Sequence, residues 1–264
     1  MSHFDVVIVG AGLSGIGAAV HLQKSCPKKT YVILEGRAAI GGTWDLYRYP
    51  GIRSDSDMHT LGYDFKPWRA EKAIADGPSI LEYINETADE HGIRKNIRFN
   101  QRLEKVAWSS QEARWVFDVA CTGGGTPEPI SCNFLLMCTG YYSYDEPYRP
   151  HFEGEEDFEG RMFHPQLWPQ DLDYAGKRVV VIGSGATAMT IVPAMADEVE
   201  HITMLQRSPT YVMSRPDKDV IANTLRKLLG DKIAYAITRF KNIQLQRRVY
   251  EKSRSDPQKV RDFL

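Results

Sequence analysis

The chain has 264 residues, enough for one large or two ordinary domains, and its 42% hydrophobic and 25% charged residues are those of an ordinary globular protein. A formal net charge of −1 gives no overall field that would recruit nucleic acid, so no nucleic-acid partner is expected. The four cysteines, Cys26, Cys121, Cys132 and Cys138, contain no Cys-x-x-Cys pair, no signal-like stretch precedes the first strand, and no apolar run nears the roughly 20 residues of a membrane span; a reducing, cytoplasmic setting without a metal site is expected.

Asp5-Val-Val-Ile-Val9 is a short apolar run of the kind that forms a buried parallel strand. It leads into Gly10-Ala-Gly-Leu-Ser-Gly15, a dinucleotide fingerprint. Gly10 makes the tight turn, Gly12 admits a pyrophosphate, and Ser14 and Gly15 open a helix that packs closely on the sheet. The helix is expected to run on through Ile16–Gln23, its N-terminus facing the phosphates. A second strand, Thr30–Leu34, ends at Glu35, 25 residues after Gly10, where an acid accepts hydrogen bonds from a ribose diol.

Gly41-Gly-Thr-Trp-Asp-Leu46 and Arg48-Tyr-Pro-Gly-Ile-Arg-Ser-Asp55 hold too many turn formers and charges for core. They predict a long functional loop passing close to a flat ring system. Gly77–Ala88 predicts a helix with Pro78 near its start and a core stripe at Ile80, Ile84 and Ala88. Ile97–Phe99, Leu103–Trp108 and Trp115–Ala120 alternate as three strands of a small antiparallel unit, with a turn at Gly123–Gly125. Asn133–Gly140 predicts a further buried strand, and Tyr141–Phe152 a linker.

Phe158-Glu-Gly-Arg-Met-Phe-His-Pro-Gln-Leu-Trp-Pro169 comes next, with Gly160 permitting a sharp turn and Pro165 and Pro169 blocking helix. A second strand–glycine–helix pattern follows: Lys177–Ile182, then Gly183-Ser184-Gly185-Ala186-Thr187-Ala188, then a paired strand His201–Leu205. Here Gln206-Arg207 stands where the first site has an acid, 24 residues after Gly183 at Arg207. A guanidinium forks onto a ribose 2′-phosphate, whereas an acid repels one. From Asp219 to Lys252 apolar residues recur every three or four positions, with Gly230 separating two helices, and Gln258–Leu264 continues as helix. Between Lys218 and Arg261 twelve Lys/Arg face four Asp/Glu. This basic stretch reads either as a peripheral membrane or partner face, or as a solvated helical segment.

The spacing Phe158-x-Gly160-x-x-x-His164-x-x-x-Trp168-Pro169, set between two dinucleotide fingerprints, resembles the signature of Baeyer–Villiger monooxygenases. From Val6 to Arg207 the chain is similar to the N-terminal half of class B flavoprotein monooxygenases, most of all the ethionamide-activating type. The resemblance implies an α/β fold: an FAD domain of three-layer ββα type over 1–145, a linker over 146–175, and an inserted, incomplete NADPH domain over 176–264. It places FAD on Gly10, Gly12, Ser14, Gly15, Glu35, on Thr43, Trp44, Asp45, Leu46 and Asp55, and on the Leu103 backbone. Arg53, Ser54 and Asp55 lie where NADPH reaches the flavin, and Gly183–Ala188 with Gln206 and Arg207 hold the rest of NADPH.

The implied reaction uses NADPH to reduce FAD, and O2 then forms a C4a-peroxyflavin that oxidises a ketone, a thioether or a thioamide. Asp55 is expected to partner a catalytic arginine lying beyond Leu264. The chain is therefore expected to be a truncated form, binding FAD but yielding peroxide in place of product. Three alternatives stand beside this reading. One is a flavin monooxygenase acting on nitrogen or sulfur. Another is a nucleotide-binding remnant without turnover. The third is a disulfide reductase, for which Cys132 and Cys138 are too far apart in sequence for the usual redox pair.

Overall fold

The computed structural model describes residues 2–122, 128–208, 211, 212, 214 and 216–263. The turn expected at Gly123–Gly125 and the final Leu264 lie outside the described residues. The chain forms two compact units, Met1–Arg48 with Pro78–Trp168, and Tyr49–Gly77 with Pro169–Leu264. This division differs from boundaries at 145 and 175. Residues 49–77 pack with the second unit, and the signature segment through Trp168 packs with the first.

In chain order the elements begin with β1 (Ser2–Val9), α1 (Leu13–Ser25), β2 (Tyr31–Leu34), α2 (Thr43–Leu46), α3 (Met58–Leu61) and α4 (Gly77–Glu90). They continue with β3 (Ile97–Arg98), β4 (Gln101–Ser109), β5 (Arg114–Cys121), β6 (Ile130–Met137), β7 (Arg178–Ile182), α5 (Ala186–Met195), β8 (His201–Leu205), α6 (Val220–Ser255) and α7 (Pro257–Phe263).

The first unit is built on one six-stranded sheet of order β3-β2-β1-β6-β5-β4. β3, β2, β1 and β6 run parallel, and β5 and β4 return antiparallel from β6. Val7, Val9, Val32, Leu34, Phe117 and Ile130 form its core. One expectation is corrected here. Ile97–Phe99 does not join an antiparallel unit with the next two strands. Its first two residues pair parallel with Ile33 and Leu34, at the sheet's edge beyond β2. α4 supplies the crossover that a parallel neighbour needs, and two residues are too few to carry a diagnostic alternation. The Leu103–Trp108 and Trp115–Ala120 strands do form an antiparallel pair, with an irregularity between Leu103 and Lys105.

α1 packs on β1 at backbone contact. A Cβ on Gly15 would stand 1.8 Å from the Gly10 carbonyl oxygen, and Gly10 itself has φ +104°, with a Cβ there only 2.5 Å from the Cys138 oxygen. No side chain fits at either position, so the fingerprint spacing is a packing requirement as much as a ligand requirement.

In the second unit β7 and β8 form a parallel pair in register from Arg178↔His201 to Ile182↔Leu205, with α5 after the glycine turn. α6 is broken at Gly230, whose φ of 76° and ψ of 169° leave the helical region, as the sequence predicts. The loop 49–63 packs within this unit. Gly51 passes so close to α5 that a Cβ would fall 2.7 Å from that of Ala194. Asp57, 1% exposed, caps α3 by accepting from Thr60 N at 3.1 Å and also accepts from Asn242 Nδ2 at 2.9 Å. Arg239 Nη1 donates to the carbonyls of His59, Thr60 and Gly62 at 2.9, 3.1 and 3.2 Å. Those are the carbonyls that the end of α3 leaves without intrahelical partners.

Replacement of Gly15 by Ala is expected to destabilise the first unit by about 3 kcal/mol or more, because backbone rather than a flexible side chain must yield. Urea unfolding of the variant measures it; a midpoint equal to that of the wild type would refute the contact.

Candidate functional site

A cleft of about 500 Å³ opens at the C-terminal ends of the parallel strands in the first unit. Ligands of α/β sheets bind at this edge, and the volume is that of a small-molecule site. Of the residues expected from the sequence, Gly10, Gly12, Ser14, Glu35, Thr43, Trp44 and Leu103 line it.

Glu35 is 6% exposed and terminates β2. Its Oε2 accepts from Ala11 N at 2.7 Å and its Oε1 from Arg37 N at 2.9 Å. Each carboxylate oxygen has two acceptor sites, so one per oxygen is left, side by side, for a pair of hydroxyl donors. α1 begins at the cleft with Gly12 as its N-cap, so the positive end of the helix faces the cleft. That arrangement suits an anion. The donor and acceptor set therefore fits the diol and pyrophosphate of a dinucleotide.

Other expected residues sit around the cleft wall. Gly15 lies in the α1–β1 contact and is buried. Asp45, on α2, is held between two arginines, with Oδ2 2.6 Å from Arg37 Nη2 and Oδ1 2.8 Å from Arg48 Nη2. Arg37 Nη1 also donates to the Gly42 carbonyl at 3.2 Å, so this network shapes the Gly41–Leu46 turn. The turn closes by hydrogen bonds from Asp45 N and Leu46 N to the Gly42 oxygen, which places Leu46 in the last position of α2.

Sequence reasoning missed several cleft residues. Arg37, Arg102, Cys138, Tyr142, Tyr144 and Asp145 also line it. Arg102 Nη1 pairs with Asp145 Oδ2 at 2.6 Å, and the Arg37 guanidinium lies 5.8 Å from the Tyr144 ring centroid. The Asp145 carboxylate raises the Arg102 pKa further. Burial pushes the Cys138 and Cys132 thiols up, away from the reactive thiolate form. The four cysteines are unpaired. The local signal for Arg37 was its place two residues after the acid; Tyr142–Asp145 offered none within a stretch read as linker.

The signature segment forms a short 3-10 turn, Pro165–Leu167. The Phe158 ring lies over Gly160, where a Cβ would fall 2.4 Å from the ring's Cζ, and Trp168 packs edge-on to Phe163 at 5.2 Å. His164 caps the turn: its Nδ1 accepts from Gln166 N at 3.2 Å. Burial holds its pKa below the ordinary histidine value.

The remaining expected residues belong to the second unit. Ser54 is 6% exposed; its N donates to the Ala75 oxygen at 2.9 Å and its hydroxyl to the Ser56 oxygen at 2.8 Å. Arg53 bridges to Asp76 in backbone pairing, and its Nε lies 3.8 Å from Asp55 Oδ1, an exposed pair of little energetic worth. Gly183 ends β7 with its N bonded to the Leu205 oxygen at 2.8 Å, and Gly185 caps α5. Cβ atoms at Gly183 and Gly185 would meet nothing within 4 Å, leaving open space before α5. Ser184 Oγ reaches the Ser208 oxygen at 3.5 Å, the Thr187 side chain bonds Tyr49, and Ala186 and Ala188 lie in the first turns of α5, Ala188 buried. Gln206 and Arg207 are exposed directly after β8.

Residues 7–262 match the family model described as pyridine nucleotide-disulphide oxidoreductase, and the chain belongs to that family. Its resemblance to the N-terminal half of flavoprotein monooxygenases of Baeyer–Villiger type also holds. It is 54% identical over 263 residues to the FAD-containing monooxygenase EthA of Mycobacterium tuberculosis (strain CDC 1551 / Oshkosh), covering 99% of this chain and 53% of that protein. A solved steroid monooxygenase bound to NADP superposes with a TM-score of 0.73 at 32% identity, over 89% of this chain and 43% of that one. A complex of OTEMO with FAD and NADP gives 0.66 at 32% identity, over 78% and 40%. The chain spans about half the length of the curated relatives it matches.

The capping bond of His164 needs an unprotonated Nδ1. Because the unfolded chain binds that proton more readily, the bond's contribution is full above about pH 6.5 and is lost as pH falls through the lower folded value. The stability difference between wild type and His164→Ala is therefore expected to be largest near pH 8 and to shrink below about pH 6.5. Thermal melts across that range measure it, and a gap independent of pH would show that the ring's lone pair is not used.

Proposed function

We propose that the chain is the FAD- and NADPH-binding part of a flavin-dependent monooxygenase of Baeyer–Villiger type, which uses O2 to oxidise a small ketone, thioether or thioamide. One observation carries the reading: a buried Glu35 carboxylate with an acceptor site left on each oxygen lines the same cleft as Gly10, Gly12, Ser14, Thr43, Trp44 and Leu103. Bound FAD would supply the redox and oxygen-activating chemistry. The chain's own residues bind and orient. Glu35 accepts the ribose hydroxyls, the first amides of α1 meet the pyrophosphate, and Thr43 and Trp44 wall the flavin end. In the second unit the Gly183–Ala188 turn takes the NADPH pyrophosphate and Arg207 pairs with its 2′-phosphate. Arg53, Ser54 and Asp55 belong to the nicotinamide end of this assignment.

Two features support the oxygenase reading over a disulfide reductase. The thiols of Cys132, on β6, and of Cys138, which lines the cleft, are pushed toward the neutral form, and all four cysteines are single. The printed names of the relatives are those of monooxygenases. Oxidation of nitrogen or sulfur in place of Baeyer–Villiger insertion is the second reading, since the cofactor sites serve both. No helix among the described residues is long and apolar enough to cross a membrane. Exposed Ile221, Leu228 and Phe240 on α6, interleaved with lysine and arginine, support peripheral contact with an anionic membrane surface as a subsidiary reading within a cytoplasmic setting.

Glu35→Ala removes the diol acceptors and strands two backbone amides. Retention of FAD is expected to weaken by about tenfold or more, at roughly 1 kcal/mol or more per lost bond. Flavin absorbance after desalting checks it, and undiminished FAD content in the variant would sink the assignment. Arg207→Ala is expected to weaken binding of NADPH by at least about tenfold while leaving NADH nearly unchanged. Titration with each nucleotide decides the point; equal losses for the two would remove Arg207 from the 2′-phosphate.

A further inference from the structure

We infer that Gln166, inside the signature segment, is a positioning residue for the dinucleotide cleft. It ties the aromatic wall of the cleft at Tyr142–Tyr144 to Tyr47, and so sets how fast the cleft releases its cofactor. This inference rests on the FAD reading above.

Gln166 is 6% exposed and uses both ends of its amide. Nε2 donates to the Ser143 carbonyl at 2.6 Å, and Oε1 accepts from the Tyr47 hydroxyl at 3.3 Å. The orientation of the amide follows from its partners, because a carbonyl oxygen can only accept and so must face the amino end. Tyr142, Ser143 and Tyr144 all line the cleft, and Tyr142 packs edge-on to Tyr47 with centroids 5.2 Å apart. One buried side chain therefore fixes both the backbone of the wall and the ring behind it.

The local sequence makes that side chain rigid. Pro165 restricts the backbone entering the turn, and His164 Nδ1 holds the Gln166 N–H. The Arg102–Asp145 pair is 48% and 59% exposed at its side chains, and exposed pairs contribute little. Removing the buried amide instead takes a donor from the Ser143 carbonyl and an acceptor from the Tyr47 hydroxyl. The spacing His164-Pro165-Gln166 thus acquires a purpose on the cofactor side: the cap presents the amide, and the amide closes the wall.

The experiment measures FAD release from the loaded protein by the rise of free-flavin fluorescence on dilution. It is accompanied by melting of the flavin-free protein and the absorbance spectrum of the bound flavin. Gln166→Leu is expected to release FAD about tenfold faster, with a broadened bound-flavin spectrum and a flavin-free melt that is lowered but still cooperative. Gln166→Glu keeps the acceptor for Tyr47 but sets a carboxylate oxygen against the Ser143 carbonyl, so its release should be at least as fast as that of Gln166→Leu. Tyr47→Phe should speed release less than Gln166→Leu and add little to it in the double variant. A folded Gln166→Leu with unchanged release overturns the inference. Should that variant not fold, Gln166→Glu and Tyr47→Phe decide, and wild-type release rates in both overturn it. A wild-type chain that takes up no FAD overturns the cofactor reading itself, and this inference with it.

Discussion

A single buried carboxylate organises the C-terminal edge of the first sheet. Removing a carboxylate from water is costly unless donors replace the lost hydration. Glu35 meets that demand by binding the amides of Ala11 and Arg37, one before α1 and one after β2. The glycine turn and the start of the Arg37–Leu46 segment are thereby fixed to the same atom pair. Arg37, held by its own backbone bond, then reaches Asp45 and the Gly42 carbonyl and shapes the opposite wall. The cleft is the space these bonds leave. The close packing of α1 against the glycine turn admits no side chain, since a Cβ on Gly15 would stand 1.8 Å from the Gly10 oxygen.

Features set by neighbours in sequence are legible in the sequence itself. Both strand–glycine–helix patterns, the break at Gly230 and the acid after β2 are local, and each is tied to a backbone geometry that only certain residues allow. β3 was misassigned because a two-residue strand has no period to detect; only its pairing with Ile33 and Leu34 defines it. The cleft wall at Tyr142–Asp145 was equally hidden. It lies in the Tyr141–Phe152 stretch, whose Pro147 and Pro150 look like a linker, and what anchors it is an amide 23 residues further on. The bond from Gln166 to Tyr47 spans 119 positions and that from Asn242 to Asp57 spans 185. Partners so distant leave no pattern in composition or spacing.

The two fingerprints share a spacing but differ in their surroundings. The first lies in a six-stranded sheet with a buried core, whereas the second rests on a two-stranded pair whose Val180, Ile182 and Leu205 are exposed. The first motif is consequently over-determined: glycine packing, carboxylate bonds and the Arg37 network all specify one shape. Around the second, the turn has open space beside both glycines, and the Tyr49–Thr187 bond and the Gly51–α5 contact supply the local restraint.

The bonds from α6 to the loop before it have a consequence for motion. Arg239 holds three carbonyls at the end of α3, Tyr235 donates to the Tyr63 oxygen at 3.0 Å, and Asn242 reaches the buried Asp57. Partners are shared, since the Gly62 oxygen accepts from both Arg239 and Tyr235 and Asp57 Oδ1 from both Thr60 N and Asn242, so several bonds must break before the segment 57–63 parts from the middle of α6. Such shared bonds favour opening as a unit over opening one bond at a time. Asp55 sits two residues from the segment's edge, so the backbone that presents this acid is tethered through Asp57 to a helix nearly two hundred positions away in the chain.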